Sequence, residues 1–192
     1  MNALAAIREN LAGAWQVMLG RADGLDSLDT SLEGFWRSFA AVILLAPFAL
    51  LSLVSQRPLQ AGTAPAVPLS GGMLAWDGLA LLVDWFTFPL IFALLARPFS
   101  LGPRYVPFIV TRNWASVIIA AMVAVVHALH LLGVLPTAVM PYVLLVAVAV
   151  ALRFSYVIAR TSLAVSVALA LPIVVLDLVI SLVVWSIFDR FA

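Results

Sequence analysis

The 192-residue chain is 65% hydrophobic and only 10% charged, with a formal net charge of +1, whereas globular domains carry about a quarter charged residues. That composition identifies an integral membrane protein and leaves no basic field for nucleic acid. The absence of cysteine excludes disulfides, thiolate metal sites and cysteine nucleophiles, and all ten basic residues are Arg.

At about 20 residues per span, the length holds roughly five helices and no separate soluble domain. The expected fold is all-α: a bundle of about five transmembrane helices over residues 35–192, preceded by an N-terminal amphipathic interfacial helix and acidic linker over residues 1–34. Leu4, Ile7, Leu11, Trp15 and Met18 recur at three- and four-residue steps, with Asn2, Arg8, Glu9 and Asn10 on the other side. This spacing predicts a helix lying in the interface plane or packed on the cytoplasmic end of the bundle. Arg8, Glu9, Asn10 and Gln16 interrupt any apolar leader run, so no cleaved signal peptide is expected. The linker runs from Asp23 to Asp29, and Thr30-Ser31-Leu32-Glu33 fits a capping box that starts a helix before the first span.

Expected spans cover residues 35–55, 73–96, 115–132, 138–157 and 163–187. Residues 56–72 hold three prolines, three glycines and one Arg and read as an exposed connector. Residues 97–114 read as the most polar stretch between spans, with a tail that begins the next helix, and residues 133–137 as a tight turn. Counted over alternate sides of these spans, Arg8, Arg21, Arg37, Arg97, Arg104, Arg112, Arg153 and Arg160 fall on one side, and Arg57 and Arg190 on the other. By the positive-inside rule this 8 to 2 split puts the N-terminus in the cytoplasm and the C-terminus outside, in the periplasm if the membrane is a bacterial inner one.

Asp84 and Asp177 sit near the middle of apolar runs, where a charge costs about 2.5–3.5 kcal/mol on insertion scales, so each is a functional candidate. With the spans above, His127 falls within roughly 5 Å of their level, while Asp77 and His130 lie nearer the outer interface. Asp77, Ala80, Asp84 and Thr87 share one helix side, and Ser166, Ala170, Asp177 and Ser181 another. Small-residue stripes at Ala120, Ala124 and Ala128 and at Ala147, Ala151 and Ser155 mark close helix approach, so the ionisable groups are expected to point inward. Pro89 and Pro172 free the carbonyls of Trp85 and Ala168 beside the carboxylates, either as plain kinks or as part of a polar pocket.

These polar residues, Asp77, Asp84, His127, His130 and Asp177, form an expected intramembrane network. One reading is a satisfied internal set, Asp84 pairing with His127 or Arg153 to fix helix register. The other is a proton or cation relay through Asp84, His127 and Asp177. Metal binding by His127 and His130 has only Asp84 as an obvious third ligand, and no second His is placed for haem, so no metal or cofactor is expected. Arg97, Arg104 and Arg112, with Tyr105, Phe108 and Trp114 and extended by Arg153 and Arg160, read as positive-inside flanks with an aromatic belt, or as a contact for anionic lipid or a partner.

The stretches from Asp29 to Phe39 (DTSLEGFWRSF) and from Arg104 to Ser116 (RYVPFIVTRNWAS) resemble segments of small uncharacterised multi-span membrane proteins of alphaproteobacteria. The layout of a cytoplasmic N-terminal segment followed by five spans is similar to that of Yip1-type membrane proteins. The resemblance implies an accessory or trafficking-like role and carries no site residues. No hydrolase elbow, phosphate-cradling loop or metalloprotease motif occurs, so no enzymatic activity is expected. The leading expectation is a non-enzymatic inner-membrane scaffold or accessory subunit, surrounded by lipid, that packs with itself as a homo-oligomer or with a larger membrane complex. The competing one is a small proton-coupled transporter or channel, although no inverted repeat is evident.

Overall fold

A computed structural model describes residues 3–61 and 70–191 of the chain. Over those residues the protein is helical: α1 Ala3–Met18, a 3-10 helix Ala22–Ser27, α2 Leu32–Phe39, α3 Val42–Ala61, α4 Gly71–Ala96, α5 Gly102–Leu131, α6 Met140–Leu163 and α7 Val167–Arg190. Five segments, α2 continuing into α3 as the first, are long and apolar enough to cross a membrane. Only 22–33% of each apolar stretch is buried, and Ile43, Leu90, Leu94, Leu145, Val146 and Leu182 stand exposed. A water-facing bundle would hide such side chains.

Local chemistry sets the ends. Ser31, one residue beyond the expected box position, caps α2 by accepting from the Gly34 amide at 3.0 Å. Glu33 pairs with Arg37 one turn on instead of reaching back. Asp29 accepts from the Ser31 hydroxyl at 2.6 Å. That bond, helped by the Ser31 amide and nearby Arg37, outweighs the opposing effect of burial and holds the Asp29 carboxyl below its ordinary range. Ser70 caps α4 through the Met73 amide at 3.2 Å. Most of the expected proline-rich connector, residues 62–69, lies outside the described residues.

Helix α5 departs most from expectation. The anticipated polar stretch shrinks to residues 97–101, and the helix starts at Gly102, thirteen residues before the predicted span. Pro103 sits in the first turn, where a missing amide costs nothing. Pro107, just beyond, forfeits one bond. Tyr105 donates to the Pro89 carbonyl at 3.0 Å, and the buried Asn113 donates to Ser38 Oγ at 3.0 Å, pinning α5 to α4 and α2. The turn from α6 to α7 passes through Ala164, left-handed at φ 51°.

Helix α5 packs against α3 and α6, α7 against α4 and α6, and α1 lies across α5 and α6. The buried residues of α1 are Ala6, Asn10, Gly13, Ala14, Val17 and Met18; of the predicted stripe Met18 is buried, Ile7 and Leu11 pack half-buried against the core, and Leu4 and Trp15 remain exposed. Asn10 accepts from the Asp29 amide at 3.1 Å, tying α1 to the linker. Gly13 and Gly24 let α1 and the 3-10 helix meet: a Cβ on either would stand 2.7 Å from the other's carbonyl oxygen.

Candidate functional site

The polar groups lie on α4, α5 and α7, and counting along each helix from the end where α4 stops and α5 and α7 begin gives their levels. Asp84 is twelve residues from Ala96, Arg112 ten from Gly102 and Asp177 ten from Val167. At 1.5 Å per residue these are depths of about 18, 15 and 15 Å. The three share a level near the middle of α4 and α7.

Arg112 donates twice to Asp177, from Nε to Oδ2 at 3.1 Å and from Nη2 to Oδ1 at 2.7 Å. The fork matches the carboxylate in the bidentate arrangement that makes such bonds both strong and directional. The two side chains are 14% and 23% exposed, and the guanidinium carbon stands 4.7 Å from the centre of the Phe88 ring. Phe88 in turn stacks with Phe92 and meets Phe108 edge-on. An aromatic wall on one side and a carboxylate on the other hold the cation among apolar helices.

Asp84 has no such partner. Its carboxylate faces Ser181 and Trp185 of α7 and lies within electrostatic reach of Arg112 and Asp177. Its Oδ1 makes no hydrogen bond among the described residues, and neither do Arg112 Nη1 and the Nε1 of the buried Trp85. All three residues border one cavity of about 520 Å³, to which α3, α4, α5, α6 and α7 each contribute. Four-residue steps bring Asp177, Ser181 and Trp185 of α7, and Arg112, Ser116 and Ala120 of α5, to its wall. Ser52 of α3 and Ser155 of α6 add hydroxyls to a lining otherwise made by groups such as Phe48 and Val123. The result is a largely apolar chamber bordered by a few polar side chains, the usual make-up of a small-molecule site.

Three expectations change here. Arg112, read as a cytoplasmic contact for lipid or a partner, is drawn into the bundle by Asp177, because the longer α5 places it beside α7. His127, expected level with the two carboxylates, lies 25 residues from Gly102, roughly 20 Å beyond Asp84, and is not among the residues bordering the cavity. It is buried, and its Nδ1 has no partner among the described residues. Arg153, offered as a partner for Asp84, is exposed and sits over the Phe154 ring instead.

The other candidates stay apart from the cavity. His130 Nδ1 is 2.9 Å from the Leu135 carbonyl in the turn after α5. Asp77 lies two turns outward of Asp84 on α4. Arg97, Arg104 and Arg160 are exposed near the end where α4 stops, with Arg160 Nη1 3.4 Å from the Tyr156 hydroxyl. Among the described residues no three His, Asp or Glu side chains converge as metal ligands. The side chains of Trp85, Ser116 and Trp185 join the site without being among the residues expected there. Their signal was the i, i+4 spacing from Arg112 and from Asp177 through Ser181, and adjacency to Asp84. No family model, curated protein or solved structure matches the chain, and the cavity of Asp84, Trp85 and Arg112 is therefore the feature that carries its functional reading.

Proposed function

We propose that the chain is a non-enzymatic multi-pass protein of the bacterial inner membrane that moves protons or a small proton-coupled solute through the chamber at Asp84. One observation carries this reading: Asp84, Trp85 and Arg112, each with a buried polar atom that has no partner among the described residues, border one cavity. Single orphans occur elsewhere in the bundle, as at Asn113 Oδ1, but three beside one cavity, each costing about 1–3 kcal/mol, are more than fixing helix register requires. The two carboxylates divide the work. Asp177 neutralises and orients Arg112, and Asp84 is the group that binds and releases.

Orientation follows from the Arg distribution: with Arg112 drawn inside and Arg153 ten residues from the α6 end at Leu163, level with it, six of the eight Arg remain toward the N-terminal side against two on the other. The N-terminus is then cytoplasmic and the C-terminus periplasmic, with Leu4 and Trp15 of α1 meeting the headgroup region.

A second reading, an accessory or scaffold subunit in a homo-oligomer or larger complex, rests on Arg97, Arg104 and Arg160, which are exposed near the end where α4 stops and suit anionic lipid or an acidic partner; Arg153, ten residues inside α6, lies away from that end.

Proteoliposomes with a pH gradient and an internal pH dye distinguish the two. Wild-type protein is expected to dissipate the gradient, and Asp84→Asn to abolish the flux while eluting and melting like wild type. Equal leakage from wild type, Asp84→Asn and empty vesicles rules out the transport reading in favour of the scaffold.

A further inference from the structure

Resting on the transport reading, the geometry points to a more specific ligand: we infer that the chamber takes a small zwitterion bearing one apolar side group. The orphan atoms are of two kinds. Arg112 Nη1 and Trp85 Nε1 are donors that lack an acceptor, and Asp84 Oδ1 is an acceptor that lacks a donor. A simple cation would answer only Asp84, and a simple anion only Arg112 and Trp85. A molecule with a carboxylate and an ammonium close together answers all three, its carboxylate on the Arg112 and Trp85 N–H groups and its ammonium on Asp84.

The fixed charges agree. Arg112 and Asp177 cancel each other through their two hydrogen bonds, so the pair offers its spare N–H without a net field that would demand a free anion. Asp84, Arg112 and Asp177 are the charged residues bordering the cavity, and the rest of the wall is apolar or hydroxyl, including Phe48, Ile119 and Trp185. That wall suits an aliphatic or aromatic substituent. About 520 Å³ accommodates a molecule of that kind, within the range usual for small-molecule sites.

Three derivatives with one side chain test the charge pattern: phenylalanine, its amide and N-acetylphenylalanine, respectively zwitterion, cation and anion near neutral pH. Binding to the detergent-purified full chain is read by isothermal titration calorimetry. Phenylalanine is expected to bind at least tenfold more tightly than either derivative, and Asp84→Asn to weaken it by tenfold or more. Trp85→Phe, which keeps the ring and removes only the N–H, is expected to weaken phenylalanine several-fold and leave the amide unaffected. Binding of the amide as tight as that of phenylalanine, or no binding of any of the three to protein that drives proton flux, overturns the zwitterion assignment and leaves the transport reading standing. Zwitterion binding with the predicted variant pattern in protein that moves neither protons nor phenylalanine removes transport and keeps the binding site.

Discussion

Asp84 and Asp177 are the same residue type at nearly the same height, and their surroundings separate them. Asp177 holds Arg112 by two hydrogen bonds at a place where both are mostly shielded. Removing one member of such a pair leaves the other charge uncompensated, which typically costs about 3–5 kcal/mol. Asp177→Asn is therefore expected to destabilise the bundle by about that much, measured by thermal or denaturant unfolding in detergent. Asp84→Asn, which breaks no ion pair, is expected to stay within about 1 kcal/mol of wild type. Equal effects of the two substitutions would show that the carboxylates do not divide the roles proposed above. Sequence inspection selected both residues because charge in an apolar run is costly. It could not select their partner: Arg112 stands among Arg97 and Arg104 in the chain, and only the length of α5 separates it from them.

At the scale of single elements, the helices were legible and their ends less so. Apolar runs located α4 and α7 to within four residues, whereas the first span divides into α2 and α3, α6 runs six residues past its expected end, and α5 begins thirteen residues early because Pro103 starts a helix well and Pro107 interrupts it little. That shift moved His127 out of the polar layer and Arg112 into it. In α1 the three- and four-residue repeat indicated a helix, and its Met18 is buried with Ile7 and Leu11 half-buried, but the burial extends round to Ala6, Asn10, Ala14 and Val17. Small residues there allow close approach to the bundle, and Leu4 and Trp15 are too large for that seam. Gly24→Ala tests the contact, since its Cβ would meet the Gly13 carbonyl oxygen at 2.7 Å and the Val17 amide nitrogen at 2.9 Å. Backbone atoms cannot give way cheaply, so α1 is expected to detach, read as faster proteolysis or deuterium exchange over α1 with the spanning helices unchanged. Exchange identical to wild type would mean that the linker, not this contact, holds α1.

For the whole molecule, orientation is the property most open to direct measurement, and the cysteine-free chain is a ready background. Arg97→Cys and Thr137→Cys place single thiols at exposed positions at opposite ends of the bundle. A membrane-impermeant maleimide applied to spheroplasts is expected to label Thr137→Cys directly and Arg97→Cys only after permeabilisation. The reverse pattern would invert the topology. The amino-acid sequence alone determined that this is an all-helical chain suited to a membrane with about five spans: a backbone in lipid must satisfy its own hydrogen bonds as a helix or a closed barrel, and unbroken apolar runs of about 20 residues suit the helix. Only tertiary structure decided which polar residues meet. The hydrophobic pattern that defines a span is nearly the same all round these helices, so neither the rotation of α5 nor its register against α7 is written in it. The Arg112–Asp177 pair and the five-helix chamber beside Asp84 exist because packing selected one rotation and one register.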